Sequence, residues 1–163
     1  MEKYPLQSLL DVRKYREQNA QNAVRQAESR YKECVNACLE QQNKIENYQK
    51  WRVEEEEKKY AEILGQNLHI EDLEDFKQYF SLLKEKGIKL EEELYNFEKQ
   101  KETAKQAVEQ KKQEFKLAKK NTAKIEAHHE IWKEIEKKEQ ERKEDLEAEE
   151  FKPLSPLGTE NSE

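Results

Sequence analysis

Four residues have side chains that commonly do chemistry: Cys34, Cys38, His128 and His129. Thiolates and imidazoles are zinc ligands, and histidine is a common general base. The cysteines lack the CxxC spacing of zinc sites, and no nucleophile or glycine-rich loop accompanies the histidines. We therefore predict that the cysteines pack as small buried side chains, with one histidine in the seam between helices and the other solvated. The sequence predicts no catalytic residue, cofactor or metal site, and hence no enzyme.

The composition excludes a thick globular core. Of the 163 residues, 34% are hydrophobic and 42% are charged, with only three glycines and three prolines. Such a chain could be disordered, but its apolar residues recur at helical spacing, which indicates long helices instead. The net charge of −6 mixes lysine and glutamate throughout, which argues against a nucleic-acid binder. Because no apolar run approaches the roughly 20 residues of a membrane span and no signal peptide is evident, we expect a cytoplasmic protein without membrane insertion.

Two series of residues have the four-three spacing of a coiled-coil seam, the stripe along which one helix packs on another. The stronger series is Leu90, Leu94, Phe97, Lys101, Ala104, Val108, Lys111, Phe115, Ala118, Thr122, Ile125, His129 and Trp132. The weaker series is Ala20, Val24, Ala27, Tyr31, Cys34, Cys38, Gln41, Ile45, Tyr48 and Arg52. The spacing predicts two long helices.

Glycine and proline suggest where these helices begin and end. Pro5 favours a first helix over about residues 6–64, and the sequence Gly65-Gln66-Asn67 predicts its end. A tip of about residues 65–87 follows, with a short amphipathic helix over 71–86 that Gly87 is expected to stop. The second long helix is predicted over about 88–149, before a flexible tail at 151–163.

Two helices of similar length predict an all-α fold, a long antiparallel two-helix coiled-coil hairpin with a short helical segment at the tip. Residues 1–150 would form a single domain. Charge favours this arrangement, because residues 1–53 carry a net +3 and residues 130–152 a net −4. The hairpin would lay Arg13, Arg16 and Arg25 against the glutamate-rich stretch, with paired residue numbers that sum to about 154.

The tip carries one broad apolar face, formed by Leu73, Phe76, Tyr79, Phe80 and Leu83. Two interpretations of this face remain open. It could fold back as a lid on the two long helices, or it could stay partly exposed as a docking surface, since aromatic residues are enriched where proteins bind each other.

Three segments together resemble the YscO/FliJ family, the stalk proteins of type III secretion and flagellar export, with the chlamydial member looking closest. These are the opening Tyr4-Pro5-Leu6 with Leu9, Leu10 and Arg13, the tip LEDFKQYFSLL, and the closing HHEIWKEIEKKEQERKEDLEAEE. The resemblance implies a coiled-coil hairpin similar to the gamma stalk of rotary ATPases. It also implies a virulence-associated protein located peripherally at the cytosolic base of the secretion apparatus.

The resemblance further implies partners: a hexameric secretion ATPase, the cytosolic domain of the export gate protein and, for some members, secretion chaperones. The gate contact carries over to Ile45, Tyr48, Trp51, Leu73, Phe76, Tyr79, Phe80 and Leu83. The contact with the ATPase ring carries over to Arg13, Arg16, Lys133 and Glu134 near the helix ends.

Two other functions remain as alternatives. The chain could be a homodimeric coiled-coil scaffold without an ATPase partner, whereas a stalk is expected to be monomeric when isolated. A nucleic-acid-binding arm ranks last, because residues 65–89 hold five acids against four lysines rather than a basic stripe.

Overall fold

The computed structural model describes residues 2–65 and 69–151, and two long helices account for nearly all of them. Helix α1 is Gln7–Leu64 and helix α2 is Ile70–Glu150. Pro5 precedes α1, where the Gln7 amide donates to the Tyr4 carbonyl at 3.1 Å. The first turn of α2 carries Glu71 and Asp72, which suit the positive end of the helix dipole. The predicted tail lies outside the described residues from position 152 onward. In the part of the chain that is described, neither helix is apolar enough over a sufficient length to span a bilayer.

The chain forms two compact units, and each of them pairs a stretch of α1 with a stretch of α2. The first unit comprises Met1–Gln18 and Lys116–Glu163, and the second is Asn19–Phe115. In the first unit, Tyr4 contacts His128 and Arg13 contacts Asn121. In the second unit, Gln41 contacts Leu90 and Tyr48 contacts Leu83. Because the numbers rise on α1 as they fall on α2, both pairings are antiparallel, and the predicted all-α fold with two long antiparallel helices is confirmed.

The two predicted seams are the faces by which the helices pack. Every residue of both series is buried or half-buried. The two most buried polar members, Gln41 and Thr122, are 5% and 2% exposed. Gln41 Nε2 donates to the Leu90 carbonyl at 2.9 Å. Thr122 Oγ1 has one hydrogen and lies 3.0 Å from the Ala118 carbonyl of its own helix and 3.2 Å from the Arg13 carbonyl of the facing helix. These seam positions are therefore tolerated because their polar atoms bond the facing helix.

The predicted helix break at Gly87 is wrong. Helix α2 runs through this position without interruption, so the predicted tip helix over 71–86 is the first part of α2. Gly87 is a half-buried seam residue, and a Cβ atom placed on it would lie 3.4 Å from Tyr48 Cε1. Packing against α1 over many turns outweighs the cost of about 1 kcal/mol for one glycine in a helix.

The predicted register is wrong by about 20 residues. Paired residue numbers sum to 132 for Tyr4 and His128, 134 for Arg13 and Asn121, and 131 for Tyr48 and Leu83. The reason is that α1 ends at Leu64 and α2 already begins at Ile70, so the connection is far shorter than the predicted tip. Arg13 therefore lies beside Asn121 instead of the glutamate-rich stretch, and the same register sets Arg16 opposite Ala118.

The continuity of α2 at Gly87 predicts the effect of adding a methyl group there. The Gly87→Ala variant should gain about 0.5–1 kcal/mol in free energy of unfolding, because alanine restricts the unfolded chain and 3.4 Å from Tyr48 is an ordinary contact distance. Urea denaturation followed by circular dichroism measures this change. Gly87→Leu is the control that should lose stability, since its larger side chain would displace the Tyr48 ring. A loss for alanine as large as for leucine would contradict the explanation.

Candidate partner-binding surfaces

Tyr48 and Leu83, which the sequence assigns to the gate contact, are both buried in the second unit. The Tyr48 hydroxyl donates to the Leu83 carbonyl, and Lys86 Nζ lies 5.5 Å from the centre of the Tyr48 ring. The Trp51 ring lies 5.7 Å from the Tyr48 ring, yet Trp51 remains 44% exposed. Tyr48 and Leu83 therefore hold α1 and α2 together, and Trp51 beside them offers surface to a partner.

The predicted aromatic face on α2 is partly covered by α1. The Tyr79 hydroxyl donates to Glu55 Oε1 at 2.8 Å, and the Phe80 ring stacks on the Tyr60 ring at 5.0 Å. Half-buried side chains on these two helices include Ile45, Phe76, Tyr79 and Phe80. The face thus contributes to packing between the helices and also retains accessible edges.

The most exposed apolar side chains of the second unit flank the connection between the helices. Leu64 is 86% exposed and Ile70 is 77% exposed, and Tyr60 and Leu73 are also exposed. We call these four residues the turn-end surface. Only Leu73 was among the predicted gate residues. The sequence signal for Tyr60, Leu64 and Ile70 is that they are large apolar residues outside the seam series and next to a predicted helix end.

The two tyrosines that bridge the helices titrate differently from free tyrosine. Burial raises the pKa of Tyr48, Arg52 opposes this by lowering it, and Glu56 raises it further. Arg52 and Glu56 themselves form an ion pair with Nε and Oε1 2.8 Å apart. The hydrogen bond to the Glu55 carboxylate is the main cause of the raised pKa of Tyr79. Both tyrosines are therefore held in their neutral form as hydrogen-bond donors.

An aromatic cluster in the first unit attaches the chain before α1 to helix α2. Tyr4 is buried, and its hydroxyl lies 2.6 Å from His128 Nδ1. The Tyr4 ring lies 4.4 Å from the His129 ring and 5.3 Å from the Trp132 ring. His129 is half-buried and His128 is exposed, so the predicted division between the two histidines is confirmed, with a tyrosine partner that the spacing did not reveal.

The residues predicted to contact the ATPase ring differ in accessibility. Arg13 is half-buried, and its Nη1 donates to the Asn121 carbonyl at 2.9 Å, so it links the two helices. Arg16, Lys133 and Glu134 are exposed. Lys133 Nζ lies 3.5 Å from Glu130 Oε1, a solvent-exposed pair that contributes little to stability. Arg16, Lys133 and Glu134 are therefore the three with side chains available to a partner.

Cys34 and Cys38 are free, buried thiols in the second unit, as expected for seam residues. Within residues 2–65 and 69–151, no three His, Cys, Asp or Glu side chains are grouped so that they could hold a metal ion. Exposed large apolar side chains and exposed charges occur in both units of the described chain. The fold defines an all-α protein of two long antiparallel helices.

The model of a known family, described as type III secretion protein YscO, matches residues 6–153. The chain belongs to the YscO family of type III secretion proteins, as its sequence motifs predicted. A crystal structure of YscO from Vibrio parahaemolyticus has a TM-score of 0.82 and 27% identity, covering 90% of this chain and 92% of that chain. A structure of the YscO homologue CT670 from Chlamydia trachomatis has a TM-score of 0.72 and 20% identity, covering 93% of each chain. Comparison with curated proteins gives no match.

The raised pKa of Tyr48 predicts how stability depends on alkaline pH. Its contribution is fully present below the pKa of an unfolded tyrosine, about 10, and is lost as the pH rises through the higher pKa of the folded protein. Between pH 9 and pH 11.5, the free energy of unfolding of the wild type should fall more steeply than that of Tyr48→Phe, which has no phenol to ionise. Urea denaturation at a series of pH values measures both slopes. Equal slopes for the two proteins would show that folding does not raise the pKa of Tyr48.

Proposed function

We propose that this protein is the central stalk component that links the hexameric export ATPase to the export gate of a type III secretion apparatus, with secretion chaperones as further partners. Membership of the YscO family over residues 6–153 is the observation that carries the proposal. On this view the protein works at the cytosolic base of the apparatus, as a monomer when isolated. It performs no chemistry itself and acts by contact.

The second unit supports the gate half of the proposal. Its turn-end surface places Leu64, Ile70 and Leu73 in solvent, and exposed apolar patches on soluble proteins commonly mark interaction sites. Trp51 adds an exposed aromatic ring, a residue type that is frequent among the energetically dominant residues of interfaces. Tyr48 and Leu83, which are buried, would serve the gate contact by positioning this surface.

The first unit supports the ATPase half of the proposal. Arg16, Lys133 and Glu134 present charges in solvent, while Arg13 is committed to the Asn121 carbonyl. Exposed charges steer association and fix the relative orientation of partners more than they add to affinity. This suits a contact that must change as the ATPase turns over.

The mechanism that we propose is coupling through unequal contacts. A helix pair inside a ring of six similar subunits cannot touch all of them alike, so it favours the nucleotide state of the subunits that it contacts best. A ligand shifts an equilibrium only by its differential affinity for the two states. The stalk would therefore change the rate of ATP hydrolysis without contributing a catalytic group.

The gate contact can be tested with two matched double variants. Trp51→Ala with Leu73→Ala should weaken binding to the purified cytosolic gate domain from the same organism at least tenfold, because two exposed apolar side chains are lost from the contact. Leu39→Ala with Tyr95→Ala removes two apolar side chains elsewhere that are more exposed than Trp51 and Leu73, and it should leave affinity unchanged. Isothermal titration calorimetry measures both. Equal affinity for the two double variants would place the gate contact elsewhere.

The ATPase contact calls for a separate measurement. Arg16→Glu with Lys133→Glu should reduce the stimulation of ATP hydrolysis by the partner ATPase at least threefold, since two exposed charges are reversed. Lys58→Glu with Lys105→Glu reverses two exposed lysines of the second unit and should keep full stimulation. If the wild type does not stimulate hydrolysis and light scattering gives twice the monomer mass of 19.7 kDa, the homodimeric scaffold is the better function.

A further inference from the structure

In the first unit, the residues that flank the seam on one side differ in character from those that flank it on the other side. On α1 the seam passes through Leu10, Arg13 and Glu17, all of which are buried or half-buried. One side of the helix pair has a shallow groove lined by Gln7 and Lys14 of α1 and by Glu126, Glu130 and Lys133 of α2. We call this the polar side. The remaining positions that flank the seam, on the opposite edge of both helices, form the other side.

That other side carries five aliphatic residues, so we call it the aliphatic side. They are Leu9 and Val12 on α1, and Leu117, Ile131 and Ile135 on α2. All five are exposed, from 36% for Leu9 to 60% for Leu117. On the polar side, the equivalent positions of Gln7–Gln18 and Lys119–Gln140 hold nothing more apolar than alanine. Scattered exposed aliphatic residues need no explanation, but five at the flanking positions of one side do. In the observed register Leu9, Val12 and Leu117 lie where the two helices are paired, and Ile131 and Ile135 lie on α2 beyond the first residue of α1.

Over residues 9–16 of α1 and 117–142 of α2, the charges on the aliphatic side have one sign, and the first acid at an equivalent position is Asp145. Arg16 of α1 and Lys124, Lys138 and Arg142 of α2 occupy its polar positions. None of the α2 positions that lie on this side between Leu117 and Arg142 is occupied by an acidic residue. The polar side, by contrast, mixes Glu126 and Glu130 with lysines. A partner of the aliphatic side must therefore bring apolar side chains together with negative charge.

We propose that the aliphatic side of the first unit binds an amphipathic helix of a partner protein, in which a stripe of aliphatic residues is flanked by aspartate and glutamate. Ile131 and Ile135 lie one helical turn apart, which is the spacing that meets the aliphatic stripe of another helix. The positive charges of Lys124 and Lys138 favour a partner helix whose aliphatic stripe is flanked by acidic residues. This surface shares Arg16 with the proposed ATPase contact but goes beyond the gate and ATPase contacts, because it requires neither the turn-end surface nor Lys133 and Glu134.

A second copy of this chain fits the aliphatic side less well. The negative charges of the first unit that could face Lys124 and Lys138 include Glu126 and Glu130 on the polar side, where aliphatic partners are missing. Two aliphatic sides placed together would match their apolar residues but would oppose lysine to lysine. Like charges facing each other are unfavourable, so a different protein is the better occupant.

The test uses the full chain and two fluorescein-labelled helical peptides of about 20 residues with the same leucine stripe. One peptide has glutamate on both flanks and the other has lysine. Fluorescence anisotropy should show that the wild type binds the glutamate peptide at least tenfold more tightly than the lysine peptide. Ile131→Ala with Ile135→Ala should weaken this binding at least tenfold, whereas Leu39→Ala with Tyr95→Ala should leave it unchanged. Circular dichroism verifies that the variants keep their helix content.

Charge reversal distinguishes specific binding to this surface from non-specific binding. Lys124→Glu with Lys138→Glu should make the protein prefer the lysine peptide, and the affinity of the wild type for the glutamate peptide should fall with added salt. Equal binding of the two peptides, or binding that survives loss of Ile131 and Ile135, would overturn the proposal. So would a wild-type dimer in sedimentation experiments that Ile131→Ala with Ile135→Ala converts to a monomer, since a second copy would then occupy the surface.

Discussion

The packing of one seam on another is the interaction on which the rest of this structure depends. A chain with 42% charged residues has few apolar side chains, and nearly all of the most buried ones lie where α1 and α2 meet. Among the described residues, no large side chain is completely buried. Stability is therefore the sum of many modest contacts along the helices. The same constraint keeps α2 continuous through Gly87, because a break there would end the seam. It also leaves the outer faces of both helices free to differ from each other.

The sequence was sufficient for the fold class and for the seam residues because both depend on periodicity, which is a property of residue order. Gly87 and the register were mispredicted for a common reason. A glycine was taken as a local stop signal, but its cost of about 1 kcal/mol is small beside packing with α1 on both sides of it. Because the predicted helix break was too late in the chain, the predicted chain reversal was also displaced. Arg13 was therefore assigned to the wrong stretch of α2.

The candidate surfaces were only partly predictable for a different reason. Aromatic residues at the tip could be recognised by type, yet accessibility depends on the register, which determines that Phe80 stacks on Tyr60 and that Tyr79 bonds Glu55. Tyr48 and Leu83 are buried between the helices, so they hold their neighbours in place. The aliphatic side of the first unit emerges only after the seam is known, because its members are defined by lying beside that seam.

The polar seam residues also have a consequence for the alignment of the two helices. The Thr122 hydroxyl shares its one hydrogen between the Ala118 carbonyl of α2 and the Arg13 carbonyl of α1, and the Arg13 guanidinium donates to the Asn121 carbonyl across the helix pair. In the second unit the Gln41 amide bonds the Leu90 carbonyl in the same manner. A shift of one helix along the other would break these bonds, whereas apolar contacts could be exchanged for similar ones. The polar members of the seam therefore favour the observed alignment of the two helices over shifted alignments.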